Sequence, residues 1–168
     1  MMTAVFTALI AIGADAATSP AGTKEAGSVE QYIKEATVQV GFVIAKSTAS
    51  YQEALALAKA ASSTLHLPLK LRDLVPHKKT GLTYPKPDCE KEVGEYPCYF
   101  ARGRFDSGAY VSIEHSNAYP EFKPNLFIVI LASGGKNQAM LRTTLKKSQS
   151  RFPDAYLKTA AVYMGCMH

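Results

Sequence analysis

Tyr110-Val111-Ser112-Ile113-Glu114-His115-Ser116 crowds hydroxyls, a carboxylate and an imidazole together, the groups that nucleophilic or general acid-base chemistry uses. Their spacing argues against that use. Read as a strand, the segment sends Tyr110, Ser112 and Glu114 to one face and Val111, Ile113 and His115 to the other, so Glu114 and His115 do not converge without a bulge. There is no G-x-S-x-G elbow, and no second histidine at helical spacing that would suggest a metal site. The chain is therefore read as non-catalytic, with a hydrolase built on His115 the least favoured of three hypotheses. No motif requires a cofactor.

Binding chemistry is better represented. Tyr96, Tyr99, Arg102, Arg104, Tyr110 and Tyr119, with Ser112 beside them, lie in one stretch. Sugars pack on aromatic faces while arginine donates from a fixed fork, and the same residue types are enriched at protein interfaces. The competing reading, of equal weight, makes the tyrosines half-buried strand residues.

Three cysteines, Cys89, Cys98 and Cys166, permit one disulfide in an oxidising compartment and leave one thiol over. Cys89 and Cys98 would staple the middle of the chain, but either could instead reach Cys166. A zinc site from these cysteines and His168 is disfavoured, because no C-x₂-C or H-x₃-H spacing is present.

The compartment is suggested by the N-terminus. Ala4 to Gly13 is apolar apart from Thr7, and Ala14-Asp15-Ala16 fits an A-x-A cleavage site, so residues 1–16 read as a secretory signal peptide. The alternative is an N-terminal helix packed on the domain. Loss of Asp15 would take 14 acidic residues to 13 against 19 basic ones and raise the net charge from +5 to +6. An exported basic protein suits anionic partners in the cell envelope. Lys78-Lys79 and Lys146-Lys147 are the only adjacent basic pairs, with no interleaved aromatics, so nucleic-acid binding has little support. The mature chain is expected to carry no transmembrane segment and to be periplasmic or otherwise exported.

With 47% hydrophobic and 20% charged residues, 168 residues suffice for one domain with its own core. Residues 17–27, rich in Ala, Thr, Ser, Pro and Gly, read as a flexible linker, and Ser28-Val29-Glu30-Gln31 as a capping box opening a short helix through Glu35. Residues 28–168 then hold one domain. Val38 to Ile44 is a strand, and Ser50-Tyr51-Gln52-Glu53 caps a helix over Tyr51 to Leu65 with Ala54, Leu55, Ala58, Ala61 and Leu65 on one face. A second short strand closes this unit by Leu71. The pattern returns with a strand over Leu126 to Leu131, a helix from Gln138 to Arg151, and a strand from Ala155 to Tyr163. Between the copies, residues 72–125 form an insertion with a hairpin of Cys98 to Phe105 and Ala109 to His115 joined by Asp106-Ser107-Gly108. Strand-helix-strand twice over predicts an α+β, ferredoxin-like split βαβ (βαββαβ) sandwich, its antiparallel sheet carrying two main helices and an inserted β-hairpin.

Val38-Gln39-Val40-Gly41-Phe42, followed by the alanine-rich Tyr51 to Leu65 helix, resembles the opening of the SPOR (sporulation-related repeat) family. Leu126 to Ala132 stands where that family has its second long strand, and Asp154-Ala155-Tyr156-Leu157-Lys158 resembles its final one. The resemblance spans Val38 to Leu71 and Leu126 to Tyr163. It implies an extracytoplasmic βαββαβ domain that binds peptidoglycan glycan strands lacking stem peptides, with Gln39 carried over as a glycan-face residue. Two departures stand out: the long middle segment, and Leu126 to Leu131 being apolar on both faces, which is normal only for a strand covered on both sides. The first expectation is thus a non-catalytic glycan-binding module using Gln39, Tyr99, Arg102, Arg104, Tyr110, Ser112 and Tyr119. The alternative is a module binding a cell-envelope protein, such as an inhibitor or immunity protein of a cell-wall enzyme.

Overall fold

The computed structural model describes residues 23–104, 106–135 and 138–165. Along the chain run α1 (Thr23–Glu35), β1 (Thr37–Thr48), α2 (Tyr51–Leu65), β2 (Val75–His77), β3 (Gly81–Thr83), α3 (Lys86–Val93), β4 (Gly108–His115), β5 (Phe127–Gly135), α4 (Ala139–Gln149) and β6 (Tyr156–Tyr163). The four long strands form one antiparallel sheet in the order β4-β5-β1-β6. Each crossover therefore skips one strand. The unit β1-α2-β4 leaves room for β5 between its strands, and β5-α4-β6 leaves room for β1, which is the split βαβ arrangement expected from the repeated pattern.

The helices form for the reasons their sequences suggest. Ser50 Oγ accepts the Glu53 amide at 3.3 Å and starts α2. Ala54, Ala58, Ala61 and Leu65 are buried along one stripe of α2 and meet Val43, Ala45, Val111, Ile113, Val129 and Leu131 of the sheet. Small residues on the helix let it approach the β-branched surface closely. Leu141 of α4 completes this helix-side core, and the Lys147 ammonium turns back to the Leu65 carbonyl at 2.7 Å.

Three local expectations are corrected. First, α1 begins at Thr23, inside the segment read as linker, so Ser28 lies within the helix rather than at its start. Lys24, Glu25 and Ala26 are strong helix formers, and their propensity outweighs Gly27. Residues 1–16, read as a signal peptide, lie outside the described residues. Second, the segment ending at Leu71 contributes one parallel bridge, Leu69 with Val111, rather than a sheet strand. The strand that closes the first unit is β4, from within the supposed insertion. Third, residues 98–104 form no strand, and β4 pairs with β5 and not with them. The hairpin of this region is the smaller β2-β3 pair.

The face of the sheet opposite the helices is covered as well. Val40, Phe42 and Ile44 of β1, Ile128 and Ile130 of β5, and Ala160 and Val162 of β6 pack beneath Tyr119 and Phe122, with Ala101 and Ala118 at the margin. Phe42 meets the Tyr119 ring edge-on at 4.9 Å and the Phe122 ring at 6.0 Å. This explains why β5 is apolar on both faces: Ile128 through Ala132 are all buried. The same layer attends to the free edge of β6, where Glu121 accepts the Ala161 amide at 2.9 Å and Arg104 donates to the Tyr163 carbonyl at 3.1 Å. Polar side chains at these positions blunt an edge that would otherwise recruit another strand. Among the described residues, no helix is long and apolar enough to cross a membrane.

Candidate functional site

The residues expected to form a binding surface are largely interior. Arg102, Ser112, Tyr119 and Tyr110 are buried, and Glu114 is fully buried. That overturns their role as exposed contacts, because the covering segment buries the outer face of β4 beneath a polar network.

Glu114 is the hub. Arg72 Nη2 reaches its two carboxylate oxygens at 2.6 and 2.7 Å, Tyr99 donates its hydroxyl at 2.6 Å, and the Arg102 amide donates at 3.0 Å. Tyr119 stands 3.5 Å away and donates more closely to the Arg102 carbonyl, at 3.1 Å. Burial, and then the charge of Glu114, push the Tyr99 and Tyr119 hydroxyls well above the usual tyrosine range, so both remain donors. For Arg72, burial pulls the pKa down, but the attraction of Glu114 and neighbouring tyrosines outweighs it and the net shift is upward. Such a pair is held by its geometry, since the cost of desolvating both ions is offset only when the remaining hydrogen bonds are made.

Among the described residues, the Arg102 guanidinium forms no ion pair. It donates to Ser133 Oγ at 2.8 Å, Ser112 Oγ at 2.9 Å, and the carbonyls of Tyr110, Gly108 and Ile130 at 2.8, 2.9 and 3.3 Å. The register of β4 against β5 shifts between Ala109 and Ser112, and the fork fills the gap in the ladder that this irregularity opens. Burial pulls its pKa below the usual arginine value, yet a guanidinium remains charged at neutral pH.

The other expected site residues are scattered. Arg104 lies at the β6 edge and also donates to the Gly165 carbonyl. Tyr99 is half-buried, its hydroxyl committed to Glu114. Gln39 is exposed, but it shares the alternation of Gly41 and Val43, which is the helix side of the sheet, so it is not on the face the resemblance implied. Cys89 and Cys98 are joined to each other, with an S–S distance of 2.10 Å and Cα atoms 5.5 Å apart, which settles the pairing and removes both as zinc ligands. Cys166 and His168 lie outside the described residues.

The rim of the middle segment is open to solvent. Thr83, fully buried, accepts the Cys98 amide at 3.2 Å and donates to its carbonyl at 3.1 Å, and the disulfide ties the same point to α3. The loop so closed displays Tyr96, 39% exposed, with its ring 5.6 Å from that of His77 on β2. Val75 and Val93 are exposed nearby in sequence. One recess beside this loop is rich in acid, lined by Glu90, Glu92 and Glu95 with Lys91 among them. Another, of about 370 Å³, is basic, lined by His77, Lys78, Lys79, His115, Asn117 and Asn125. In the sequence, Tyr96 and the Lys78-Lys79 pair stand out but nothing joins them, and Arg72, Asn117 and Asn125 carry no motif that would single them out.

Comparison of the chain with protein-family models, curated proteins and solved structures finds no match.

Proposed function

We propose that this chain is an exported, non-catalytic module that binds a cell-envelope protein through the rim formed by β2, β3 and the Cys89–Cys98 loop. The observation that carries the reading is the exposed Tyr96 on a loop closed by a disulfide and clamped by Thr83, flanked by recesses of opposite charge. A rigid loop loses little entropy on binding, and an aromatic residue inside a polar rim is the usual form of an interface anchor. The disulfide also supports export, since such bonds persist in oxidising compartments. Glycan recognition across the sheet, as the SPOR resemblance implies, would need a face that Tyr119, Phe122 and Arg102 already fill. A glycan site would have to lie elsewhere.

A photo-crosslinking residue at position 96, assayed in native envelope extract alongside retention on purified cell-wall sacculi, tests the reading. A discrete crosslinked protein from position 96, absent when the probe is at exposed Lys59 on α2, is the expected result. Retention on sacculi without a protein crosslink would replace it with glycan binding.

A further inference from the structure

We infer that the basic groove between the β2-β3 turn and the end of β4 is a site for an oxyanion, a phosphate or carboxylate group carried by a small ligand. The inference does not depend on the protein partner proposed above.

Three separate stretches of chain build the groove. The pairing of His77 with Gly81 brings Lys78 and Lys79 to the tip of a short turn, both exposed and neither in an ion pair among the described residues. The Lys79 amide lies 3.3 Å from His77 Nδ1, which accepts from it and so leaves the proton of the neutral ring on Nε2, a donor. On the opposite wall, Asn125 is held by Asn117: its amide donates to Asn117 Oδ1 at 2.7 Å, and its own Oδ1 accepts from Asn117 Nδ2 at 3.2 Å. Both hydrogens of Asn125 Nδ2 are then left for a ligand. Among the described residues, no acidic one lines the groove.

The floor adds an independent observation. His115 is only 6% exposed, and its Nδ1 is buried without a hydrogen-bond partner. Its ring is fixed between Phe127, at 5.2 Å between ring centres, and the backbone of Gly81, where an added Cβ would fall 2.1 Å from His115 Cγ. Gly81 also has a φ of +77°, so the close approach and the backbone both require glycine. Two unpaired ammonium groups and the Asn125 side-chain amide thus line the groove as donors without an acceptor, over a floor that holds a buried ring nitrogen without a partner. At about 370 Å³ the groove holds more than a bare ion, and the Phe127 and Pro76 surfaces would flank the body that carries the charged group.

Titration of the ¹⁵N-labelled full chain with inorganic phosphate, and separately with acetate, at constant ionic strength tests this. Saturable shifts confined to Lys78–Gly81, Asn117, Asn125 and the His115 ring are expected. They should weaken at least about tenfold in Lys78→Glu/Lys79→Glu and persist in Lys146→Glu on α4. Both lysines are exposed turn residues, so an unchanged spectrum elsewhere will report an intact fold. A response to phosphate alone assigns a phosphate ester, and a response to both anions extends the site to carboxylates. Shifts that are absent, that follow every surface lysine equally, or that survive in Lys78→Glu/Lys79→Glu would overturn the site.

Discussion

Arg102 donates to the Tyr110 carbonyl at 2.8 Å while its guanidinium lies 3.4 Å from the centre of the Tyr110 ring. One side chain thus repairs the interrupted ladder of β4 and stacks on the residue at the interruption. The arrangement ties the covering layer to the sheet: Arg102 comes from the layer and every acceptor of its fork belongs to β4 or β5.

Replacing that fork should be costly. Arg102→Met leaves several buried acceptors unpaired at about 1–3 kcal/mol each, partly relieved by water entry, so a net loss of roughly 3–5 kcal/mol in urea unfolding is expected. Arg102→Lys should recover little of it, since one ammonium cannot reach acceptors arranged for a planar fork. A midpoint within experimental error of wild type in either variant would refute the assignment.

The Arg72 and Glu114 pair should show strong coupling. Removing either partner strands a buried charge, so Arg72→Met and Glu114→Gln are each expected to lose about 3–5 kcal/mol. The double variant should lose clearly less than the sum, with a coupling of at least about 1 kcal/mol. Additive losses would mean that the two side chains act independently.

His115 contributes a pH dependence whose sign follows from its burial. Desolvation lowers its pKa below the ordinary histidine value, so the folded state favours the neutral ring more than the unfolded chain does. Its stabilising effect is present above about pH 6.5 and is lost as the pH falls through the depressed folded value. Thermal unfolding between about pH 7 and pH 5 should show falling stability, and His115→Gln should flatten that part of the slope. A slope unaltered by the substitution would assign the titration to other groups.

The Cys89–Cys98 bond closes a short loop, with a sequence separation of 9, and chain-entropy reasoning gives it about 2–3 kcal/mol. Cys89→Ser/Cys98→Ser should unfold at correspondingly lower temperature and lose the position-96 crosslink, because Tyr96 would no longer be held. Tyr96→Ala, by contrast, should leave stability within about 0.5 kcal/mol of wild type, since its ring is a surface group. A crosslink that survives loss of the disulfide would show that loop rigidity is not what presents the contact.

Much of this architecture was written locally. The Ser50 cap, the alanine stripe of α2, the two-sided apolar run of β5 and the alternation of β6 each carry a periodicity or a cap that depends on near neighbours, and each appears where the pattern put it. The apolar run even announced that both sheet faces are covered. The partner of β4 was not legible, because a strand next to Asp106-Ser107-Gly108 suits a local hairpin as well as a distant pairing with β5. Nor was the burial of Arg102 and Glu114, whose charges argue for the surface until a network spanning residues 72 to 133 supplies their partners.

The sequence by itself determined a split βαβ framework, since helical and strand periods and their caps are short-range properties. Only the tertiary structure decided which polar residues are interior and which face solvent. That depends on contacts between segments far apart in the chain: Glu114 is buried because Arg72 and Tyr99 meet it there, and Lys78 lines a groove because Asn125 forms the opposite wall.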